Sequence, residues 1–268
     1  MHPALAPYVA SAVAYDVDLG GAGVHRGLPS TTLTLVLPVG EPLEVGWSGL
    51  PGTRARRWST VSGLHAHPAE IHHAGHQRGV QLALTPAAAP ALLGVPSAAL
   101  AGELLEVGDV APALGDLPGR LQETPSERWL ALVERALLER LSASGWGLGA
   151  VAPRAEVGHA LARLTRGASV AAVATDVGFS RRHLASLVRA EVGVTPKQVQ
   201  RLGRFEASRA LVGRLPLAEV AGRCGFADQA HLTREWVALA GCPPTTWLRE
   251  EFPFLQDIGP GPGEGLRP

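Results

Sequence analysis

The sequence is short of lysine, cysteine and uninterrupted apolar stretches. Of 24 basic residues only Lys197 is a lysine; the rest are arginine. The two cysteines, Cys224 and Cys242, form neither a C-x-x-C pair nor a zinc spacing, and read as small buried hydrophobes. None precedes Cys224, so thiol catalysis is excluded from the first half. No apolar run approaches the ~18 residues of a membrane helix. The start, "MHPALAPYVASAVAYD", lacks the basic lead and long apolar core of a secretion signal. A soluble, cytoplasmic chain with no membrane partner is expected. Phosphate-binding and nucleophile motifs are missing too. "DLGGAGVHRG" (18–27) is glycine-rich but no helix follows it. Ser48, in "GWSGLPG", lacks the final glycine of a nucleophile elbow. No catalytic set is assigned, and no enzyme activity is expected.

What is present supports packed cores: 46% of residues are hydrophobic and 18% charged, with 32 glycines and 22 prolines to punctuate short elements. Formal charge sums to zero but is unevenly spread. Residues 1–152 carry −4 and residues 153–252 carry +5. Only the second half is therefore suited to a polyanion.

Residues 1–150 read as an N-terminal domain, mainly an antiparallel β barrel or sandwich with helices. "STTLTLVLPVG" (30–40), "LEVGWSG" (43–49), "RWSTVSGLHA" (57–66), "AEIHHAG" (69–75) and "RGVQLALTP" (78–86) are short strand-like runs bounded by Gly and Pro. "PAAAPALLGVPSAALAG" (86–102) predicts short helical pieces broken by proline. Residues 125–144 predict an amphipathic helix with Leu130, Val133, Leu137 and Leu141 on one stripe. The histidine-rich "HAHPAEIHHAGH" (65–76) resembles the H-x-H of metal-binding cupins, but too few residues separate His67 from Glu70. His72, His73 and His76 do not have zinc spacing either. No metal and no other cofactor is assigned. Trp47, Trp58, Leu82, Leu84, Leu92 and Leu93 suit either a pocket or a plain core.

"GWGLGAVAP" (145–153) reads as a linker. Residues 151–252 are all-α, with helices expected near 154–166, 170–177, 181–192, 196–212, 217–224, 228–240 and 244–250. "GPGPGEGLRP" closes a flexible tail, 253–268. The helical region contains the same small unit twice: "VGFSRRHL" (177–184) and "CGFADQAHL" (224–232). Ala174, Gly178 and Leu184 correspond to Ala221, Gly225 and Leu232, the second turn being one residue longer. Small and apolar residues match; the polar ones differ. Two helix-turn-helix units of constant scaffold and variable outer face suit base reading in successive major grooves.

Residues from about 154 to 250 resemble the DNA-binding domain of the AraC/XylS regulators. The likeness is carried by "A-x-x-x-G-F-x-D-Q-x-H-L-x-R" and "G-x-P-P-x-x-W" in 217–247, and by "VAAVATDVGFSRRHLASLVRAEVGVTP" (170–196). Val188 replaces the usual aromatic, and Glu235 is unusual beside Trp236. The resemblance implies an α+β two-domain regulator that binds double-stranded operator DNA. It would respond to a small-molecule effector, contact RNA polymerase, form a homodimer and most commonly activate. Base reading is expected from Arg181, Arg182, Ala185 and Ser186 in the first unit. Asp228, Gln229, Ala230, Thr233 and Arg234 are expected to read in the second. Arg189, Lys197, Arg201 and Arg204 are expected at phosphates. "GVQLALTPAAAPALLGVP" (79–96) resembles the family's N-terminal regions more loosely. Rival readings are an enzyme or cupin-like metal site carrying a DNA-binding tail, and an N-terminal half that only dimerises.

Overall fold

The structure, a computed structural model, describes residues 1–143 and 155–250. The expected linker at 145–153 and the tail from 253 lie outside the described residues.

The N-terminal half is an open sandwich of two antiparallel four-stranded sheets. Strands β1 (Val9–Asp18), β8 (His76–Leu84), β3 (Leu33–Pro38) and β6 (Thr60–Ser62) form one sheet in that order. Strands β2 (Gly23–Gly27), β7 (Ala69–His73), β4 (Leu43–Trp47) and β5 (Ala55–Arg57) form the other. Period-2 alternation divides the first sheet sharply. Leu33, Leu35 and Leu37 of β3 and Val80, Leu82 and Leu84 of β8 are buried on one face. Thr34, Val36, Gln81 and Ala83 point to the other, toward the second sheet.

The apolar face is covered by helical pieces: a π turn at Ala89–Leu93, a 3-10 turn at Ser97–Leu100, α1 (Val107–Val110), α2 (Leu117–Gln122) and α3 (Trp129–Ala143). The broken helical pieces expected over 86–102 are the first two of these. Helix α3 starts at Trp129, after a 3-10 turn at Ser126–Arg128. Its buried stripe is Trp129, Leu132, Val133, Ala136 and Leu137. Leu130, expected on that stripe, is 37% exposed. The buried Trp129 takes the face instead, its Nε1 donating to the carbonyls of Leu121 and Thr124 at 3.1 and 2.8 Å. Leu82, Leu84, Leu92 and Leu93 belong to this core and Trp47 to a smaller one with Leu43, Val45 and Ala69. Trp58 is 46% exposed.

The C-terminal half is the expected succession of helices: α4 (Ala155–Thr165), α5 (Val170–Asp176), α6 (Arg181–Val192), α7 (Pro196–Arg209), α8 (Leu217–Arg223), α9 (Gln229–Ala240) and α10 (Pro244–Glu250). Helix α7 begins with a capping box between Thr195 and Gln198 and has Pro196 in its first turn, where no amide partner is needed. Asp176 at the end of α5 is bonded to His159 of α4 at 2.8 Å and lies 3.7 Å from Arg163. The hydrogen bond from His159, then the charge of Arg163, holds its carboxyl below the ordinary range. Among the described residues no helix is long and apolar enough to cross a membrane.

Candidate DNA interface

The two helix pairs, α5–α6 and α8–α9, share one construction. Ala174 and Ala221 are 2% and 1% exposed, leaving space only for a methyl group where the second helix crosses. Their carbonyls accept the Phe179 and Phe226 amides, both at 2.9 Å. Between them, Gly178 and Gly225 take φ of 73° and 74°, a left-handed turn that a side chain would strain by ~1–2 kcal/mol. Each second helix is then capped. Ser180 Oγ accepts the His183 amide at 3.2 Å, and the Asp228 carboxylate accepts the His231 amide at 2.6 Å. The rings of His183 and His231 stand edge-on to Phe179 and Phe226, with centroids 4.8 and 5.5 Å apart. The extra residue of the second turn, Ala227, gives its amide to His231 Nδ1 at 3.2 Å. That bond absorbs the insertion without leaving a donor unpaired.

Leu184 and Leu232 anchor the second helices and are fully buried. Val188 fills its site with no exposure, so an aliphatic side chain suffices there. Trp236 packs between Phe205 and Trp247, at 5.0 and 5.2 Å, and its Nε1 donates to Ser208 Oγ at 2.9 Å. This joins α9 to α7, the helix between the two units. Glu235, next to Trp236, has a task of its own: it accepts the guanidinium of Arg201 from α7.

Arg181, Arg182 and Ser186 lie exposed on α6, with Ala185 half-buried beside them. On α9, Gln229, Ala230 and Arg234 are exposed and Thr233 is half-buried, its hydroxyl donating to the Gln229 carbonyl at 2.9 Å. Asp228 is exposed, but its carboxylate is taken up as the helix cap. Among the residues expected at phosphates, Arg189 and Lys197 are exposed. Arg201 and Arg204 are half-buried. Arg201 is paired with Glu235, and Arg204 lies over the Phe226 ring at 5.7 Å. Both act as braces between α7 and the second unit.

A cavity of about 220 Å³ lies between the two sheets. Ser11, Tyr15, His25, Thr34 and Gln81 line it from the strands, and Glu206 and Arg209 of α7 close one side. Thr31 Oγ1 donates to Glu206 at 2.6 Å at this wall. Burial, then the neighbouring His73, pulls His25 down to about 4, so its ring is neutral. Its centroid is 5.5 Å from that of His73, and Nδ1 of each ring is buried without a partner. Burial raises the Tyr15 hydroxyl above its ordinary range. None of the six large apolar residues offered from the sequence as pocket lining borders this cavity. A sheet face of Ser, Thr and Gln reads as solvent-facing in sequence, and only the second sheet makes it interior.

The other histidines disperse. His65 Nδ1 bonds the His67 carbonyl at 2.7 Å, its ring is 4.6 Å from Trp47, and burial lowers it to about 4. His76 pairs with Asp16 at 2.7 Å, and His72 lies 4.0 Å from Glu70. Among the described residues no three His, Cys, Asp or Glu side chains gather as a metal would require.

A family model described as a helix-turn-helix domain matches residues 173–250. The chain is similar to ToxT from Vibrio cholerae O395, at 10% identity and a TM-score of 0.50, over 91% of this chain and 98% of that one. A structure of an apo ToxT variant from Vibrio cholerae strain SCE256 has 13% identity and a TM-score of 0.53, over 89% and 97%. The DNA-binding domain of AdpA in complex with a target DNA is 27% identical over 35% of this chain and 87% of that one, with a TM-score of 0.31. Among curated proteins none matches significantly. The ToxT likeness extends through both halves of the fold, sandwich and helices alike.

Proposed function

We propose that the chain, which carries a helix-turn-helix domain over residues 173–250, is a DNA-binding transcription regulator of the AraC type and that its sandwich is the sensor. A small molecule occupies the cavity between the sheets and shifts the population of the DNA-competent arrangement. One observation carries this reading: α7, the helix that joins the two units, supplies Glu206 and Arg209 to the cavity wall. A ligand there touches the sheets and the DNA-binding helices at once. ToxT from Vibrio cholerae strain SCE256 has been solved bound to an unsaturated fatty acid; this cavity, where Val13, Leu28, Val36, Leu43 and Ile71 stand beside the hydroxyls and amides of Ser11, Thr34 and Gln81, would select its own compound.

On the DNA side, α6 and α9 enter successive major grooves about one helical turn, ~34 Å, apart. Arg181, Arg182, Gln229 and Arg234 read base edges, with Ala185, Ser186, Ala230 and Thr233 available for closer contacts. Arg189 and Lys197 hold phosphates. Asp228 presents its helix rather than reading a base. The chain works in the cytoplasm as a regulator and not an enzyme, with RNA polymerase and a second copy of itself as partners. The sensor spans residues 1–150 and the reader 151–252.

Filling the cavity tests the sensor. DNA affinity is measured with and without a small-molecule extract of the producing cells. Wild type should shift at least ~5-fold, which corresponds to ~1 kcal/mol of coupling. Ala83→Trp, folded by thermal melt, should not shift. If Ala83→Trp responds as wild type does, or wild type ignores the extract, the sandwich is not a sensor.

A further inference from the structure

The two reading helices end in the same way. Gly193 and Gly241 are their C-caps, with φ of 75° and 73°. Both caps rest on the N-terminal half of the chain. At Gly193 there is no clearance: a Cβ would collide with Ala101 Cβ and lie 3.1 Å from the Ala98 carbonyl oxygen. These two alanines belong to the 3-10 turn Ser97–Leu100 and the residue after it. At Gly241 the Cβ position is 3.4 Å from Pro68 Cγ and 3.9 Å from Arg26 Nε. Arg26 of β2 also reaches past this cap to Glu250, the last residue of α10, at 2.8 Å. The opposite ends of α6 and α9 carry Arg181, Arg182 and Gln229, all exposed.

We propose that the N-terminal half is a working component of the DNA reader, gripping α6 and α9 by their C-terminal caps and so fixing their separation and pitch. This rests on the assignment of α6 and α9 as reading helices and goes beyond the sensor reading, since it holds whether or not the cavity is filled.

Bivalency makes such a grip useful. Two modules on one chain gain from each other only when their geometry matches the two half-sites; otherwise the second contact is lost. Among the helices themselves, Trp236 and Arg201 tie the second unit to α7. The first unit is held on its far side by backbone packed directly against Ala98 and Ala101. With only the Ala101 methyl between, there is little room to yield, and a shift of the 3-10 turn moves α6 with it. At α9 the grip is softer: Pro68 and the Arg26 side chain lie against the Gly241 cap, and the charge of Arg26 is anchored on Glu250 of α10, the next helix. The sandwich thus sets the distance between the two reading helices from behind, leaving their N-terminal ends free for the groove.

The test uses the full chain and the two-half-site DNA that wild type selects from a random pool. Each half-site is also presented alone, at low salt. Ala101→Phe places a ring where Gly193 sits and should pry α6 away. Affinity for the two-site DNA should fall ~10-fold or more while each half-site binds as before. The preferred spacing between half-sites should broaden. Arg26→Glu, which sets like charges against Glu250, should give a smaller loss on the two-site DNA, and Glu250→Arg in the same chain should restore it. Unchanged two-site affinity in both variants overturns the proposal. So does tighter binding, which would make the contact inhibitory. Equal loss on single and paired half-sites by both variants also overturns it, pointing to damaged folding rather than lost geometry. If wild type binds neither half-site alone at low salt, the assignment of reading helices fails instead.

Discussion

Arg201 of α7 and Glu235 of α9 form an ion pair between residues 34 apart in the chain, with side chains only 28% and 21% exposed. A charge-assisted hydrogen bond in such a half-buried site contributes more than a surface pair. Arg201→Ala should lower stability by ~1–3 kcal/mol, because it leaves Glu235 without its donor. Glu235→Gln should cost less, and the double variant should cost less than the two added together. Denaturant melts of the four proteins measure the coupling; strictly additive losses would remove the brace.

Ser180 and Asp228 occupy the same cap position in the two units. Asp228→Ala should reduce stability by ~1 kcal/mol, and Asp228→Ser should recover most of it. Base preference should stay as it is in the Ser variant. A change of preferred base with Asp228→Ser, read by selection from a random pool, would return Asp228 to the reading set.

Reading and anchoring are separable in solution. Arg234→Ala should relax preference at one base pair and cost ~1–3 kcal/mol on the selected site alone. Lys197→Ala should weaken all sequences alike and flatten the dependence of log affinity on log salt by ~1 unit. Identical behaviour of both variants on selected and random DNA would refute the division.

His25 and His65 are both held at about 4 against an ordinary 6.5, each chiefly by burial. Both are neutral when folded, whereas the unfolded chain takes up a proton at each below 6.5. Stability therefore falls as pH drops from 6.5 toward 4, by ~2 kcal/mol per histidine at pH 5. His25→Gln should make the acid loss shallower. Denaturant midpoints from pH 7 to pH 5 check this, and an unchanged slope in the variant would mean that His25 is not the group responsible.

The helical half is readable because its determinants are local. Ala174, Gly178, Ser180 and Leu184 act within one turn and its two flanking helices, so spacing along the chain is spacing in the fold. The sandwich is readable only in places. Strands β3, β4, β7 and β8 announce themselves as short apolar runs between Gly and Pro, whereas in β1, "VASAVAYDVD", the Val13–Tyr15–Val17 alternation is diluted by alanines and a serine, and β2 has glycine at both ends. Small residues blur a period-2 pattern, and β1 is recognisable by its pairing with β8 along its whole length. Leu130 leaves its expected stripe because Trp129, Leu132 and Ala136 centre the buried face on the other side of Val133 and Leu137, which puts Leu130 at its edge.

The order of residues alone decided that this chain makes two capped, glycine-turned helix pairs, since each is closed by hydrogen bonds among near neighbours. Which arginines serve as braces was decided in three dimensions: Arg201 and Arg204 look like Arg189 in sequence, but α9 and Phe226 come to meet them. The cavity has the same origin. Hydroxyls and amides on one sheet become interior only when the other sheet and α7 arrive from elsewhere in the chain, because burial is a property of what covers a surface and not of the surface itself.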